Sequence, residues 1–246
     1  MQHQHSMTDR KTPDYDLHMP KSLTYPLQVG ILCAMLATLF YFLLQEQPII
    51  TGILGGISIL AGIVYVGIFV FLKRLTNLEF RLQARDEFLD GIPWQGDEIA
   101  LDVGCGNGIL TMGAAQRLTT GRVIGIDIWA EGSGDNRLDA FVENAKIEGV
   151  ADRVEIQNED VRHLPYDDES FDVIISGLTI HHLRFDTEKS IGEMTRVLKP
   201  GGWLAIYDEP STVFYCAKLM QKYGLKTEKK STDMLFGVKP HLPKSK

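Results

Sequence analysis

Asp102 stands two residues ahead of three alternating glycines, Gly104, Gly106 and Gly108, in the segment IALDVGCGNGIL spanning 99–110. An apolar strand that ends on an acid and turns through glycines into a helix makes a ligand loop, because residues without Cβ let a ligand approach the backbone. Two ligand chemistries use such a turn. A dinucleotide wants G-x-G-x-x-G, with its diphosphate on the helix N-terminus. The third glycine of that pattern would fall where this chain has Ile109. The spacing here is G-x-G-x-G, and the preceding Asp102 repels a diphosphate while suiting a ligand with cationic groups. Both features argue against a nicotinamide oxidoreductase.

Other reactive side chains fall at the ends of apolar segments. Asp127 closes GRVIGID, and His181 with His182 follows FDVIISGLTI. Tyr207, Asp208 and Glu209 close WLAIYDE. A histidine can accept a proton near neutral pH, from a phenol or an activated carbon. His181 and His182 are therefore the candidate bases, or else they shape the pocket. Lys199-Pro200-Gly201-Gly202 lacks the phosphate-loop spacing and reads as a helix stop and turn. Cys33, Cys105 and Cys216 are too dispersed for a disulfide framework or a zinc site, and the His3, His5 pair lacks further ligands. No metal is expected.

These residues need a scaffold that brings strand ends together. From about residue 97 short apolar strands alternate with helical stretches, the pattern of an α/β fold with a doubly wound, mostly parallel sheet. Strands are expected near 99–103, 122–127, 153–157, 171–176 and 202–208. Helices are expected near 108–119, 135–148, 187–198 and 211–223. Segments 225–232 and 233–240 are expected to close the sheet as an antiparallel pair. Every singled-out side chain then sits at the carboxyl edge, where ligands of open parallel sheets bind.

The motifs in this order resemble the class I S-adenosylmethionine-dependent methyltransferases. VEIQNEDVRHLPYDDESFDVIISGLTIHHL and EMTRVLKPGGWLAIYDEP resemble the later motifs of the subgroup that includes ubiquinone and menaquinone C-methyltransferases. The likeness spans about residues 97–210 and implies a Rossmann-like fold with S-adenosylmethionine as cofactor. It also implies that Asp127 holds the ribose hydroxyls, that Asp160 meets the adenine amine and that the Val161 amide meets the ring. Asp102, Gly104, Cys105, Gly106, Ile128 and Ser176 complete the cofactor residues it suggests. One departure is the long connection IWAEGSGDNRLDAFVENA. Its Trp129 stacks near the adenine, walls the substrate pocket, or is a partly buried loop residue.

Upstream lie two apolar runs without a charged residue, Leu27–Leu44 and Ile49–Leu72, of 18 and 24 residues. A bilayer core of ~30 Å takes about 20 helical residues, so a two-helix transmembrane hairpin is expected over 27–72. Gly30, Ala34 and Thr38 in the first run share a face, and Gly52, Gly56, Ser58 and Gly62 in the second repeat small-residue spacings suited to close helix packing. Arg10, Lys11 and Lys21 precede the hairpin, and Lys73, Arg74 and Arg81 follow it. That bias places both ends, and the catalytic domain, on the cytoplasmic side. Residues 1–26 read as a mobile polar tail, 73–96 as a linking helix and 97–246 as the methyltransferase domain. In the linking helix Leu75, Leu78, Leu82 and Phe88 offer an apolar wall for the pocket.

Composition narrows the partners. The formal net charge is -7, from 25 Lys and Arg against 32 Asp and Glu, which argues against nucleic acid. From Ser211 on there are eight lysines and two acids, either a patch for anionic lipid or a solvated face. The expected activity is methyl transfer to a small, membrane-dissolved acceptor at the lipid bilayer. The rival is a non-catalytic cofactor-binding sensor or scaffold, which intact cofactor residues alone do not exclude.

Overall fold

β1 (Ile99–Val103), β2 (Arg122–Asp127), β3 (Val154–Asn158), β4 (Phe171–Gly177), β5 (Leu198–Tyr207), β6 (Lys226–Lys229) and β7 (Met234–Val238) form one sheet, in the order β3-β2-β1-β4-β5-β7-β6. β1 to β5 are mutually parallel, and β7 runs antiparallel to both β5 and β6. The computed structural model describes residues 12–15, 48–75, 77–129 and 137–241, with single positions between 30 and 41. Its helices are α1 (Pro48–Leu75), α2 (Leu78–Leu89), α3 (Ile109–Gln116), α4 (Arg137–Ile147), α5 (Thr187–Val197) and α6 (Pro210–Lys222).

Central strands read as unbroken apolar runs because helices cover both faces of such a sheet. Leu101, Val103, Ile174, Ile175, Leu204 and Ile206 are buried there. The chain reverses direction across the sheet between β1 and β4, so the loops after these strands diverge and leave a crevice. β5 starts earlier than expected. Phe171 pairs with Leu198 and Val173 with Trp203, so Lys199–Gly202 bulges within the strand. Gly201, at φ 84°, supplies the left-handed residue that this bulge requires.

The chain divides into two units, one of Met1–Tyr15 with Ala84–Lys246 and the other of Asp16–Gln83. This alters the expected boundaries. Tyr15 is 3% exposed within the first unit, so the described residues 12–15 are not a mobile tail. Phe88 is fully buried against Tyr207 and Phe236, with ring centroids at 6.0 and 5.6 Å, and is core rather than pocket wall.

In the second unit α1 spans 28 residues and leaves Ile53, Ile57, Leu60 and Ile63 exposed. Among the described residues, a Cβ on Gly52, Gly56 or Gly62 would meet nothing within 4 Å, and the run expected to pack on them lies mostly outside the described residues. Among the described residues no helix is long and apolar enough to cross a membrane. Several α1 side chains and nearly all of the run 27–44 lie outside the described residues, so the first helix of the expected hairpin falls outside them.

Candidate active site

The turn after β1 is built by the backbone. The amides of Gly104 and Cys105 both donate to the Ile126 carbonyl, at 2.8 and 3.0 Å, tying the turn to β2. Gly104, Gly106 and Gly108 have φ of 74°, 51° and 84°, a region costly for residues with Cβ. A Cβ on Gly104 would collide with Thr179, whose hydroxyl donates to the Gly104 carbonyl. At Gly106 the space is open. The next strand end is locked to this turn, because the Gly106 amide donates to Asp127 Oδ2 at 2.9 Å and the Ile128 amide to Oδ1 at 2.7 Å.

A pocket of about 300 Å³ opens at this edge. Gly104, Asp127, Ile128 and Val161 line it, joined by Glu159, Leu178, Thr179, His182 and Leu183. Leu178, at φ 52°, and Arg184, at φ 47°, hold left-handed backbone that non-glycine residues rarely adopt. They bracket the short helical turn Ile180–His182 that carries the histidines.

The other expected cofactor residues lie behind or beside the pocket. Asp102 is buried under the turn, where Thr111 donates its hydroxyl to Oδ2 at 2.6 Å. Among the described residues Oδ1 has no hydrogen-bond partner, and neither has the buried Asn107 Oδ1. Burial pushes the Asp102 carboxyl up to about 7; Thr111 opposes this and the nearby Asp127 charge adds to it. Cys105 is buried, and Ser176 is buried with its hydroxyl on the Val103 carbonyl, so it fastens β4 to β1. Gly106 serves through its amide on Asp127.

Asp160 is not among the residues that line this pocket. Arg162 grips its carboxylate, with Nη2 at 2.6 Å and Nε at 2.9 Å, and reaches on to Asp186 at 3.1 Å. That ion pair holds the Asp160 carboxyl below its usual range. The acid lining the pocket is instead its neighbour Glu159. Trp129 is partly buried, its amide bound to Asn158 Oδ1 at 3.1 Å, and it does not line the pocket.

The His181 and His182 rings touch at a tilt of 46°, with centroids 3.9 Å apart. His181 Nδ1 lies 2.8 Å from Asp208 Oδ1. The fully buried Asp208 carboxylate also accepts the backbone amides of Glu209, at 2.7 Å, and His181, at 3.3 Å. Three donors on one carboxylate fit its ionised form, which only accepts. With Nδ1 donating to Asp208, the neutral form of the ring has its lone pair on Nε2. Cys216 is no rival nucleophile, since burial raises its thiol to about 12. Among the described residues no cluster of ligating side chains could hold a metal ion.

The residues present fit S-adenosylmethionine. Glycines clear the backbone, Asp127 offers two carboxylate oxygens, and the unpartnered Asp102 oxygen suits a cationic ligand. Glu159 and Thr179 were missed in the sequence. Glu159 sits beside the acid that the resemblance singles out, and Thr179 is one of many threonines with no motif of its own.

Comparison with known proteins agrees. Residues 101–206 match the methyltransferase domain family. The chain is similar to the demethylmenaquinone methyltransferase of Lactobacillus johnsonii, with 30% identity over 125 residues, 50% of this chain and 49% of that protein. It is also similar to the 2-phytyl-1,4-naphtoquinone methyltransferase of Nostoc punctiforme, with 34% identity over 110 residues, 44% of this chain and 45% of that protein. The chain thus spans about half the length of these curated relatives. The fold matches the crystal structure of a SAM dependent methyltransferase from Aquifex aeolicus at a TM-score of 0.54 and 22% identity, over 69% of this chain and 95% of that one. Over residues 101–206 the chain matches a methyltransferase domain, and it shares the fold of that solved structure.

Proposed function

We propose that this chain transfers a methyl group from S-adenosylmethionine to a small apolar acceptor that gives up a proton in the reaction. The observation that carries this reading is the meeting, in one pocket, of the Gly104 turn, Asp127 and Val161 with Leu178, His182 and Leu183. Bound S-adenosylmethionine supplies a methyl already activated by its sulfonium. What remains for the protein is alignment and removal of the acceptor proton. Asp127 accepts the ribose hydroxyls, and Asp102, buried under the turn, favours the cofactor's positive charge from behind the pocket. His181 is next to the pocket-lining His182 but not itself in the lining; its Nε2 takes the proton of an acidic O–H or C–H of an acceptor seated beside the pocket, while Asp208 holds Nδ1–H and stabilises the imidazolium. His182 packs against that ring at a tilt and borders the pocket.

An apolar acceptor is supported by the pocket's lining, with Ile126, Ile128, Leu178 and Leu183, and by the two relatives named for quinone-type compounds. We infer that residues 27–72 anchor the chain in a bilayer with the catalytic unit on the cytoplasmic side. The support is the two uncharged runs, the basic residues flanking them and the exposed apolar side chains of α1. A lipid-dissolved acceptor gains effective concentration from such an anchor. The test is to offer the full chain, in lipid nanodiscs with methyl-labelled cofactor, a naphthoquinol and a water-soluble catechol. The naphthoquinol should be labelled faster. Labelling of the catechol alone would refute the apolar acceptor.

A further inference from the structure

We propose that residues Thr12–Tyr15 form a clamp that positions the cofactor turn, so that cofactor binding depends on a segment lying ahead of both apolar runs. The proposal rests on the cofactor reading above and adds a control element to it.

Asp14 lies beside α4 as if in a ladder with one side chain. Its amide donates to Asn144 Oδ1 at 2.7 Å, and its carbonyl accepts Asn144 Nδ2 at 2.8 Å. Asn144 is 1% exposed, a buried amide whose place is explained by these bonds. The same Nδ2 donates to the Asn107 carbonyl at 3.0 Å, and Asn107 Nδ2 donates to the Asp14 carbonyl at 3.2 Å. Asn107 is thereby held at its backbone and at its side chain. It sits between Gly106, whose amide caps Asp127, and Gly108, which opens α3. A continuous path of bonds runs from Asp14 through Asn107 and Gly106 to the ribose acid.

Tyr15 locks the segment. Its ring is buried and its hydroxyl donates to Glu148 Oε1 at 2.8 Å. Burial, and then the Glu148 charge, drive the phenol well above its usual range, so it stays a donor. The same Glu148 oxygen lies 3.8 Å from Arg85 Nη1. Tyr15 and Arg85 stand at the two ends of the intervening unit, Asp16–Gln83. Glu148 therefore joins the chain where it leaves the catalytic unit to the chain where it returns. None of residues 12–15 lines the cofactor pocket, so their part is positioning rather than contact.

The test uses the full chain and two variants that release the clamp by different means. Tyr15→Ala removes the buried ring, and Asp14→Pro removes the amide that Asn144 accepts. Affinity for S-adenosylhomocysteine is read by calorimetry, and amide exchange across residues 104–108 is read without ligand. Both variants should bind about tenfold more weakly, as a coupling of ordinary size would give. Exchange at 104–108 should rise while β4 and β5 amides keep their protection. Tyr15→Phe, which keeps the ring, should fall between these variants and the parent. Unchanged exchange at 104–108, or a rise shared equally by β4 and β5, overturns the clamp. If the parent itself fails to bind S-adenosylhomocysteine, the cofactor reading falls and the exchange measurement still decides the clamp.

Discussion

Gly106 and Asp127, 21 residues apart, are joined by a 2.9 Å bond from the glycine amide to carboxylate Oδ2. The glycine turn and the acid proposed to hold the cofactor are therefore set together. A change at either one disturbs the other.

Asp127→Ala should remove the ribose acceptor and the cap on Gly106 and Ile128. Hydrogen bonds to a charged group are worth ~1.5–3 kcal/mol each. Cofactor affinity should fall at least about tenfold in calorimetry while the fold persists. Asp127→Asn keeps one carbonyl acceptor and should lose less. Equal affinity for the parent and Asp127→Ala would remove this residue from the site.

Asp102 gives the cofactor a pH signature. Burial raises its carboxyl to about 7 in the folded chain. An unfolded carboxyl titrates near ~3.9, so the folded chain holds the proton more tightly. Stability without cofactor should then fall as pH rises from about 4 to 7 and level off above. A cationic ligand favours the ionised acid, so binding should release a proton and strengthen about tenfold between about pH 6 and 8. Calorimetry in buffers of different ionisation enthalpy detects that proton. Asp102→Asn should abolish both slopes, and an unaltered pH dependence in that variant would contradict the assignment.

His181→Ala and Asp208→Asn should slow methyl transfer by ~10²–10⁴-fold, the usual range for a positioned base. Cofactor affinity should hardly change, because neither residue lines the cofactor pocket. Asp208→Asn lets the ring turn to the wrong tautomer without a large change in volume. A rate limited by chemistry that stays constant in both variants would leave His181 without a proton to move.

Phe88→Ala tests whether α2 is core or pocket wall. Removing a fully buried ring packed on Tyr207 and Phe236 should cost ~3–5 kcal/mol. The unfolding midpoint should drop by roughly 10 °C with affinity for the cofactor preserved. A loss of acceptor binding without loss of stability would return Phe88 to the pocket.

The sheet was legible because burial on both faces writes itself as apolar runs. β1 and β2 begin and end at the residues expected from sequence, and β3 differs by one residue at each end. β5 was read four residues short because Lys199–Gly202 carries turn chemistry, yet here it makes a bulge between paired residues. The glycine turn and Asp127 were legible from local spacing alone. Glu159 against Asp160 was not, since the choice between adjacent acids depends on Arg162 reaching across to both Asp160 and Asp186. The clamp at residues 12–15 left no pattern at all. Its partner Asn144 is 130 residues away, and four residues of polar sequence carry no period that could announce the contact.

One measurement bears most directly on methyl transfer at this pocket. The full chain, saturated with methyl-labelled S-adenosylmethionine, is mixed with membrane lipid extract and followed through a single turnover. Label should pass to an apolar product in step with S-adenosylhomocysteine, one for one, and Asp127→Ala should slow this while His181→Ala slows it ~10²–10⁴-fold with cofactor still bound. Tight binding of the cofactor to the parent chain, with its methyl never leaving, would contradict the account and identify a cofactor-binding protein that does no chemistry.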